Sequence, residues 1–534
     1  MAVPPKTRSR ARTRALLLRL AHGLLWVFLI GAAAVATFTL PGSGMFASAT
    51  PTAENTGQLP AWVLTPPFPP QPTEEFSGPP PTPTYPPLTL PPLNGDAPPV
   101  LYTTQAGDSL AVLAKRFGVL PEEITSPTAI KSQGFMDPGQ LLVIPDKLGE
   151  TTDPRALFPD SEVVFSPSAV EFDVQAYVEE AGGYLSTYTE WLNSTHSTTG
   201  AEIIVRVAKE NSVNPRLLLS LLEYQSGWVH GQPSNLSKEQ YPLGLVDYES
   251  RGLYKQLAWA MRQISVGYYA YREGRLLNLT FSDGSTQRIA PELNAGTAAL
   301  QYFFAKVYAG QTWEQALSLE IGLPALHQAM FGNPWLRAQT VEPLFPASLS
   351  QPDLILPFLR GQMWAYTGGP HGAWERDGAW AALDFAPGSS APGCTESQAI
   401  VTAMASGLVV RSERGIVVID LDSDGYEQTG WAIMYLHIAT KDRIAIGTLV
   451  EQGDWLGHPS CEGGVSTGTH VHIARKYNGE WIPADGPLPF NLGGWVAASD
   501  GVIYKGTLTR GEEVVRSSDT GAFYSRIYRL EGDL

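Results

Sequence analysis

The stretch CEGGVSTGTHVHIARKYNG, residues Cys461–Gly479, places His470 and His472 two positions apart in a segment that predicts a β-strand. Side chains at positions i and i+2 of a strand leave the same face. The turn before them is rich in Gly, Ser and Thr, and it leaves that face open to a ligand. We therefore expect two imidazoles at one strand end, where they serve a metal ion or a metal ion and a proton transfer.

Candidate partners for this pair lie upstream in the last third of the chain. The segment GGPHGAWERDGAWAALDFAP holds His371 and Asp384, and a hairpin-like segment ends at His437. A hydrolytic zinc site takes three protein ligands from His and carboxylate and keeps one position for water. No HExxH motif occurs, so the glutamate base of thermolysin-like enzymes is absent. An unliganded histidine, with an ordinary pKa of about 6.5, can take the water proton instead.

Four short motifs occur in a family order: Gly-Gly-Pro-His, Ala-Leu-Asp-Phe, Tyr-Leu-His and Ser-Thr-Gly-x-His-x-His. Over roughly Leu356 to Trp495 the chain resembles the beta-lytic branch of the lysostaphin-type zinc endopeptidases. The resemblance implies an all-β antiparallel metallopeptidase domain at residues 353–534. Most of the wider family carries its first histidine four residues before the aspartate, where this chain has Trp380. The beta-lytic branch has a longer insertion, and His371 fits that version.

The resemblance also implies the roles of the site residues. His371, Asp384 and His472 are expected to bind Zn²⁺, which lowers the pKa of a bound water from 15.7 to about 7. His437 and His470 are expected to be the two unliganded catalytic histidines. We assign the general base to His470 and the oxyanion hydrogen bond, worth roughly 3–4 kcal/mol in other hydrolases, to His437. These two roles are open to exchange.

Three other features of the same region can be interpreted as functional or as purely structural. Cys394 and Cys461 are the two cysteines of the chain, and in an oxidising compartment they can pair and pin the loop before His470; two reduced thiols are the alternative. His458 has no family counterpart, and we treat it as structural. The run DLDSDG from Asp420 mimics the start of a calcium loop. Its twelfth position is Trp431 rather than glutamate, which excludes an EF-hand and favours a polar hairpin tip.

Charge and composition exclude one class of partner. The net charge of −16 and the pI near 5.1 argue against nucleic acid, which requires a basic patch. Attraction to anionic wall polymers is excluded as the main recognition force for the same reason. Uncharged glycan or peptide contacts are expected to carry recognition.

The first 49 residues predict export. A basic segment precedes an apolar stretch from Gly23 to Leu40, and eighteen residues at 1.5 Å each give about 27 Å, close to a hydrocarbon core of roughly 30 Å. Positive charge on its N-terminal side keeps that end in the cytoplasm. We favour a transmembrane anchor, with a signal peptide cleaved near Ala47-Ser48-Ala49 as the alternative. Residues 50–99 follow as a Pro-rich linker.

Residues 100–147 predict a small α+β unit with strand, helix, helix and strand in that order. A helix begins at Asp108 or Ser109, and Pro138-Gly139 turns the chain into the closing strand. The unit resembles a LysM domain, which implies binding of GlcNAc-containing glycan. Ser126-Pro127 departs from the asparagine of many members, so a spacer without sugar binding is the alternative.

Residues 160–347 predict a mainly helical domain. EIIVRVAKENSVNPRLLLSLLEYQSGW resembles the first catalytic helices of lysozyme-like lytic transglycosylases. Gln225 precedes Ser226 where that family has its catalytic glutamate, and glutamine cannot transfer the proton. Glu223 lies about 200° away on a helix. We therefore expect a non-catalytic lysozyme-like domain, with a plain helical spacer as the alternative.

Together these features predict a multidomain, extracytoplasmic enzyme, membrane-anchored or secreted and associated with the cell wall. Its C-terminal domain is expected to hydrolyse peptide bonds in peptidoglycan stems or cross-bridges, while the LysM domain holds it on the glycan. One alternative is a catalytically inactive wall-binding regulator of another hydrolase. A second places glycan cleavage in the helical domain.

Overall fold

The computed structural model describes residues 98–346, 348–374, 376–388 and 393–533. The expected membrane anchor and nearly all of the Pro-rich linker lie outside these residues. Within the described part of the chain, no helix combines the length and apolar character required to cross a bilayer.

The first described unit is small and closed by two strands. Strand β1 (Val100–Thr103) pairs antiparallel with β2 (Leu141–Ile144), and helix α1 (Leu110–Phe117) packs against this pair. Apolar side chains at helical spacing put Leu113 and Phe117 in the core. The expected second helix is wrong: a single 3₁₀ turn at Pro121–Glu123 replaces it. The segment that follows carries Pro127, Gly134, Pro138 and Gly139, and both residue types destabilise a helix interior.

The middle of the chain is mainly helical, as predicted, with two short hairpins. Its longest helix packs lengthwise against the helix that begins at Ala295, and these two carry much of the core. The helices are α2 (Val174–Ala181), α3 (Tyr184–Thr187), α4 (Gly200–Asn211), α5 (Pro215–Ser226), α6 (Leu236–Gln240), α7 (Leu253–Arg272), α8 (Ala295–Val307), α9 (Gly310–Ala316), α10 (Leu323–Phe331) and α11 (Pro334–Ala338). The hairpin strands are β3 (Thr189–Leu192), β4 (His196–Thr199), β5 (Asn278–Thr280) and β6 (Thr286–Arg288).

The C-terminal part is antiparallel β throughout its named strands, as predicted. The strands are β7 (Met363–His371), β8 (Ala382–Pro387), β9 (Val401–Thr402), β10 (Gly407–Glu413), β11 (Ile416–Asp420), β12 (Trp431–Leu436), β13 (Leu449–Val450), β14 (Trp455–Gly457), β15 (Val471–Tyr477), β16 (Glu480–Trp481), β17 (Asn491–Leu492), β18 (Trp495–Ser499), β19 (Gly506–Arg510), β20 (Glu513–Arg516) and β21 (Arg526–Tyr528). The main sheet runs β13-β10-β11-β12-β15-β8-β7-β21, with β16 added to β15. Strands β17 to β20 form a second sheet, and β9 pairs with β14.

The two faces of the main sheet have different neighbours. On β15, Val471 and Ile473 point into the core of the β domain, while Ala474 belongs to the core of the helical domain. Because side chains alternate along a strand, His472 leaves the sheet on the same face as Ala474. The helical domain therefore packs on the face that carries the predicted site.

Polar contacts at the far end of β15 hold the two domains together. Trp481 donates its indole N–H to the carbonyl of Asn211 over 3.3 Å and its backbone N–H to the hydroxyl of Tyr269 over 3.0 Å. The buried guanidinium of Arg272 pairs with Glu480 at 2.8 Å. This contact surface resembles a protein interior, so the domains form one structural unit.

Candidate metal centre and catalytic site

Three neighbouring strands position the predicted ligands. Asp384 on β8 lies opposite His472 on β15 and opposite Gly368 on β7, and His371 ends β7. A Cβ atom at Gly368 would lie 2.3 Å from Oδ2 of Asp384, so only glycine leaves room for this carboxylate. The Gly-Gly-Pro-His motif therefore supplies both His371 and the space for the Asp384 side chain.

The structure brings the three predicted ligand residues together. Nε2 of His371 lies 3.0 Å from Nδ1 of His472 and 3.3 Å from Oδ1 of Asp384, and the latter two atoms are 3.2 Å apart. Tetrahedral zinc with bonds of 2.0–2.2 Å spaces its ligand atoms by about 3.3 Å. The observed triangle matches that spacing, and all three residues are buried.

Backbone carbonyls fix the tautomers of both imidazoles. Nδ1 of His371 lies 2.8 Å from the carbonyl of Gly369, and Nε2 of His472 lies 3.0 Å from the carbonyl of Ala373. A carbonyl only accepts, so each of these nitrogens carries the ring proton and donates it. The opposite nitrogens then face each other with lone pairs, beside a carboxylate. Three acceptors in a buried cluster require a cation, and an oriented His ligand is typical of zinc sites.

The carboxylate of Asp384 also indicates that the cluster is built for a cation. Its Oδ1 is buried and makes no hydrogen bond. Burial by itself would raise the pKa of Asp384, but the charges that His371 and His470 can carry hold it well below the ordinary value. The carboxylate of Asp384 is thus ionised at neutral pH and is available to a cation. The cluster of His371, Asp384 and His472 fits zinc in its donor types, its spacing and its burial.

His470 and His437 stand beside this cluster without joining it. Nε2 of His470 lies 3.7 Å from Oδ1 of Asp384, and the rings of His437 and His470 are 4.4 Å apart. Nδ1 of His470 donates to the carbonyl of Gly468 over 2.7 Å, and Nδ1 of His437 donates to the carbonyl of Glu462 over 2.8 Å. Each ring therefore presents Nε2 to the site.

His437 has an unusual backbone and an unusual acidity. Its φ of 66° lies in the left-handed region, where a non-glycine residue is strained, and such strain collects at functional sites. Burial lowers the pKa of His437 to about 3, with the neighbouring His470 and His472 adding to the effect. The ring is neutral at physiological pH.

A disulfide joins Cys394 to Cys461, so the alternative of two free thiols is wrong. It holds residues 393–395 against the turn before His470. There the hydroxyl of Thr469 donates to the carbonyl of Thr395 over 2.6 Å, and Thr395 N–H donates back over 2.9 Å. A cleft of about 350 Å³ lies alongside, lined by the disulfide and by His458. Nδ1 of His458 donates to the carbonyl of Ala399, away from the ligand cluster.

The insertion between the first two ligands lies between the metal centre and the helical domain. Asp377 forms an ion pair with Arg262 of α7, and the guanidinium of Arg275 lies 4.5 Å over the ring of Trp380. The same insertion supplies the Ala373 carbonyl that orients His472. Helical-domain residues thereby support the orientation of His472.

Sequence reasoning missed Tyr504. Its ring stacks on His371 with 4.2 Å between centroids, and its backbone carbonyl accepts from Gly369 N–H over 2.9 Å. Tyr504 lies in a loop between β18 and β19, more than 130 residues from His371. No local pattern marks it, and only the fold brings it to the site.

The helical domain offers no free acid at the position expected from the transglycosylase resemblance. The carboxylate of Glu223 accepts from the backbone N–H groups of Val229 and His230 at 2.7 and 3.1 Å. The amide oxygen of Gln225 accepts from the hydroxyl of Tyr308 over 2.7 Å. Both side chains serve local structure, which disfavours glycan cleavage there.

Comparison with known proteins gives a consistent picture. Residues 156–344 match the family model described as LasA, N-terminal domain. The chain is 26% identical to the protease LasA of Pseudomonas aeruginosa PAO1 over 378 residues, which is 65% of this chain and 81% of that protein. LasA of strain UCBPP-PA14 matches equally, at 26% over 379 residues. The lysozyme and LysM resemblances stay predictions.

Two solved structures also match part of this chain, with low TM-scores. The M23 metalloprotease pseudoalterin from the deep sea is 22% identical with a TM-score of 0.28, covering 34% of this chain and 99% of its own. The catalytic domain of lysostaphin from Staphylococcus simulans is 21% identical with a TM-score of 0.17, covering 23% and 87%.

The ligand triangle, the two adjacent histidines and the similarity to LasA proteases define the class. The chain is a metalloendopeptidase, and 65% of it is similar in sequence to the protease LasA.

Proposed function

We propose that this protein is a zinc-dependent endopeptidase that hydrolyses peptide bonds in peptidoglycan stems or cross-bridges. The observation that carries the proposal is the buried triangle of three bare acceptor atoms, Nε2 of His371, Oδ1 of Asp384 and Nδ1 of His472, at 3.0–3.3 Å. A cation of tetrahedral preference completes this set. Zinc bound there supplies Lewis acidity and lowers the pKa of water at the site to about 7.

The two other histidines divide the proton transfers. Nε2 of His470 lies 3.7 Å from Oδ1 of Asp384, and its Nδ1 donates to the Gly468 carbonyl. His470 therefore takes the proton of the attacking water and returns it to the leaving amine. Nδ1 of His437 is also committed, so its Nε2 donates to an oxyanion only after gaining a proton. Because the pKa of His437 is lowered to about 3, the ring would have to take this second proton from the attacking water, which would make it a rival of His470 as the base and leaves the two roles open to exchange.

The parts of the chain before the peptidase domain place the enzyme at the cell wall. The relatives are named proteases, and peptidoglycan as substrate follows from the resemblance to wall-lytic endopeptidases. The LysM-like unit holds the enzyme on GlcNAc-containing glycan, and the N-terminal segment anchors or exports it. A weak glycan contact raises the local concentration of stem peptide near the zinc. The helical domain supports the peptidase domain rather than cutting glycan.

One set of experiments tests this proposal. Purified protein is expected to hold one zinc per chain by elemental analysis and to release peptide fragments from defined muropeptides, identified by mass spectrometry. Protein with Glu223→Gln should retain this activity, and protein with His470→Ala should lose it while keeping its zinc. Absence of stoichiometric zinc together with absence of peptide release would favour the inactive wall-binding regulator. Anhydro-sugars from a His371→Ala, His472→Ala double variant would favour glycan cleavage.

A further inference from the structure

A second acidic cluster of the β domain takes no part in the chemistry above. It lies at the end of β11 and in the turn that leads to β12. The six residues of β12, at about 3.3 Å each, separate this turn from His437. One oxygen from each of Asp420, Asp422 and Asp424 lies within 4.8 Å of the others. None of these three carboxylates forms an ion pair with a Lys or Arg among the described residues.

The buried member of the cluster has an unused acceptor. Asp420 is 0% exposed, and its Oδ2 accepts from Gly425 N–H over 2.9 Å. Its Oδ1 is buried without any hydrogen-bond partner. An ionised, buried and unpartnered oxygen beside two further carboxylates is unfavourable unless a cation joins them. Burial and the charges of Asp422 and Asp424 accordingly raise the pKa of Asp420 to about 6.

The turn is shaped to keep the carboxylates together. Asp424 accepts from Tyr426 N–H over 2.8 Å and from the hydroxyl of Thr429 over 2.6 Å. A Cβ atom at Gly430 would lie 2.2 Å from Oδ2 of Asp422, so glycine at this position admits that side chain. The donor set is oxygen only, which suits calcium and disfavours zinc.

We propose that Asp420, Asp422 and Asp424 form a calcium site, completed by backbone carbonyls and water. The absence of glutamate at the twelfth position places it among weaker extracellular sites, with a Kd of about 10⁻⁴–10⁻³ M. Glu427 is not a ligand, because its carboxylate pairs with Arg411 at 2.9 Å and with Lys476 at 2.8 Å.

Calcium at this turn stabilises the contact between the domains. Gly430 N–H donates to the side chain of Asn478 over 2.9 Å, and the Asn478 amide donates to the carbonyl of Leu344 in the helical region over 2.9 Å. Bound calcium fixes the turn that holds Asn478. We therefore expect calcium to raise the thermal stability of the whole chain as well as to bind.

The test is calcium titration of the zinc-loaded full chain in calcium-free buffer, by calorimetry. Terbium serves as a luminescent stand-in that Tyr426 and Trp431 can sensitise. We expect one saturable calcium per chain, a melting temperature raised by about 3 °C at 10 mM calcium, and weaker binding of magnesium. The double variant Asp422→Asn, Asp424→Asn should bind at least tenfold more weakly.

The matched control Glu122→Gln, Glu512→Gln removes two exposed carboxylates elsewhere and should bind calcium like the unaltered protein. Zinc content and far-UV circular dichroism check that each variant folds. If the double variant does not fold, the single variant Asp422→Asn replaces it and should also bind calcium at least tenfold more weakly. No saturable binding up to 10 mM, equal affinity in variant and control, or equal affinity for magnesium would overturn the calcium site. Peptidase activity is not the readout, so this result is independent of the proposed function.

Discussion

Two buried clusters of this molecule contain carboxylates, two in one and a single one in the other, and they balance the charge differently. At the interface of the two large domains, Arg272 lies between Asp160 at 2.9 Å and Glu480 at 2.8 Å. At the metal centre, Asp384 faces two imidazole nitrogens whose protons lie on the opposite side of each ring. The first cluster contains its own cation, whereas the second presents acceptors only. The difference indicates that the first is structural and that the second is built to bind an ion from outside.

The largest expected effect comes from removing a ligand. Asp384→Asn or His472→Ala should abolish stoichiometric zinc and lower kcat/KM by about 10³-fold or more, because Lewis-acid stabilisation is worth several kcal/mol. Elemental analysis and peptide-release kinetics measure the two quantities. His196→Ala, an exposed histidine of the helical domain, is the control and should change neither. Retention of full activity by either ligand variant would contradict the assignment of the second cluster.

Removal of the proposed base, His470, should affect catalysis without affecting zinc binding. His470→Ala should lower kcat by roughly 10²–10⁴-fold while one zinc per chain is retained, because general acid–base catalysis contributes that much. Steady-state kinetics and elemental analysis of the same preparation decide the outcome. Loss of zinc from this variant would instead make His470 a ligand.

Removal of the built-in cation tests the structural cluster. Arg272→Met leaves the buried carboxylates of Asp160 and Glu480 unpaired and should lower the free energy of unfolding by about 3–5 kcal/mol. Urea denaturation followed by circular dichroism measures the change. Arg155→Met, which removes an exposed ion pair with Asp153, should cost less than about 1 kcal/mol. An equal loss of unfolding free energy in the two variants would mean that the buried ion pairs of Arg272 stabilise the fold no more than an exposed ion pair does.

The same cluster predicts a pH dependence. Burial raises the pKa of Glu480 to about 7, since Arg272 only partly offsets it and Asp160 adds to it. The folded state keeps a proton that the unfolded chain loses near 4.5, so the contribution is fully present below that pH and is lost as pH rises through 7. The loss approaches about 3 kcal/mol at most. Unfolding free energies between pH 5 and 8 should fall less steeply in Glu480→Gln; an unchanged slope would be evidence against the raised pKa.

The five residues of the proposed site stand out in the sequence because each lies in a short motif with its own chemistry. His470 and His472 share a strand face by the period of two, and Asp384 sits in an apolar run that reads as a buried strand. The orienting carbonyls of Gly369, Ala373 and Glu462 could not be predicted, because every residue carries a carbonyl and sequence does not mark which one accepts. The second helix of the small N-terminal unit was predicted wrongly because Pro and Gly were outweighed by the family pattern.

By itself the sequence indicated the residues of the proposed site, the strand that carries His472 and the two cysteines that form the disulfide. Local periodicity and residue chemistry suffice for those. Only the tertiary structure decided that Tyr504 stacks on His371, that the helical domain covers the site face of the sheet, and that Arg272 meets Asp160 and Glu480. These contacts join segments separated by more than a hundred residues, and they follow from which apolar faces must be buried together rather than from any local pattern.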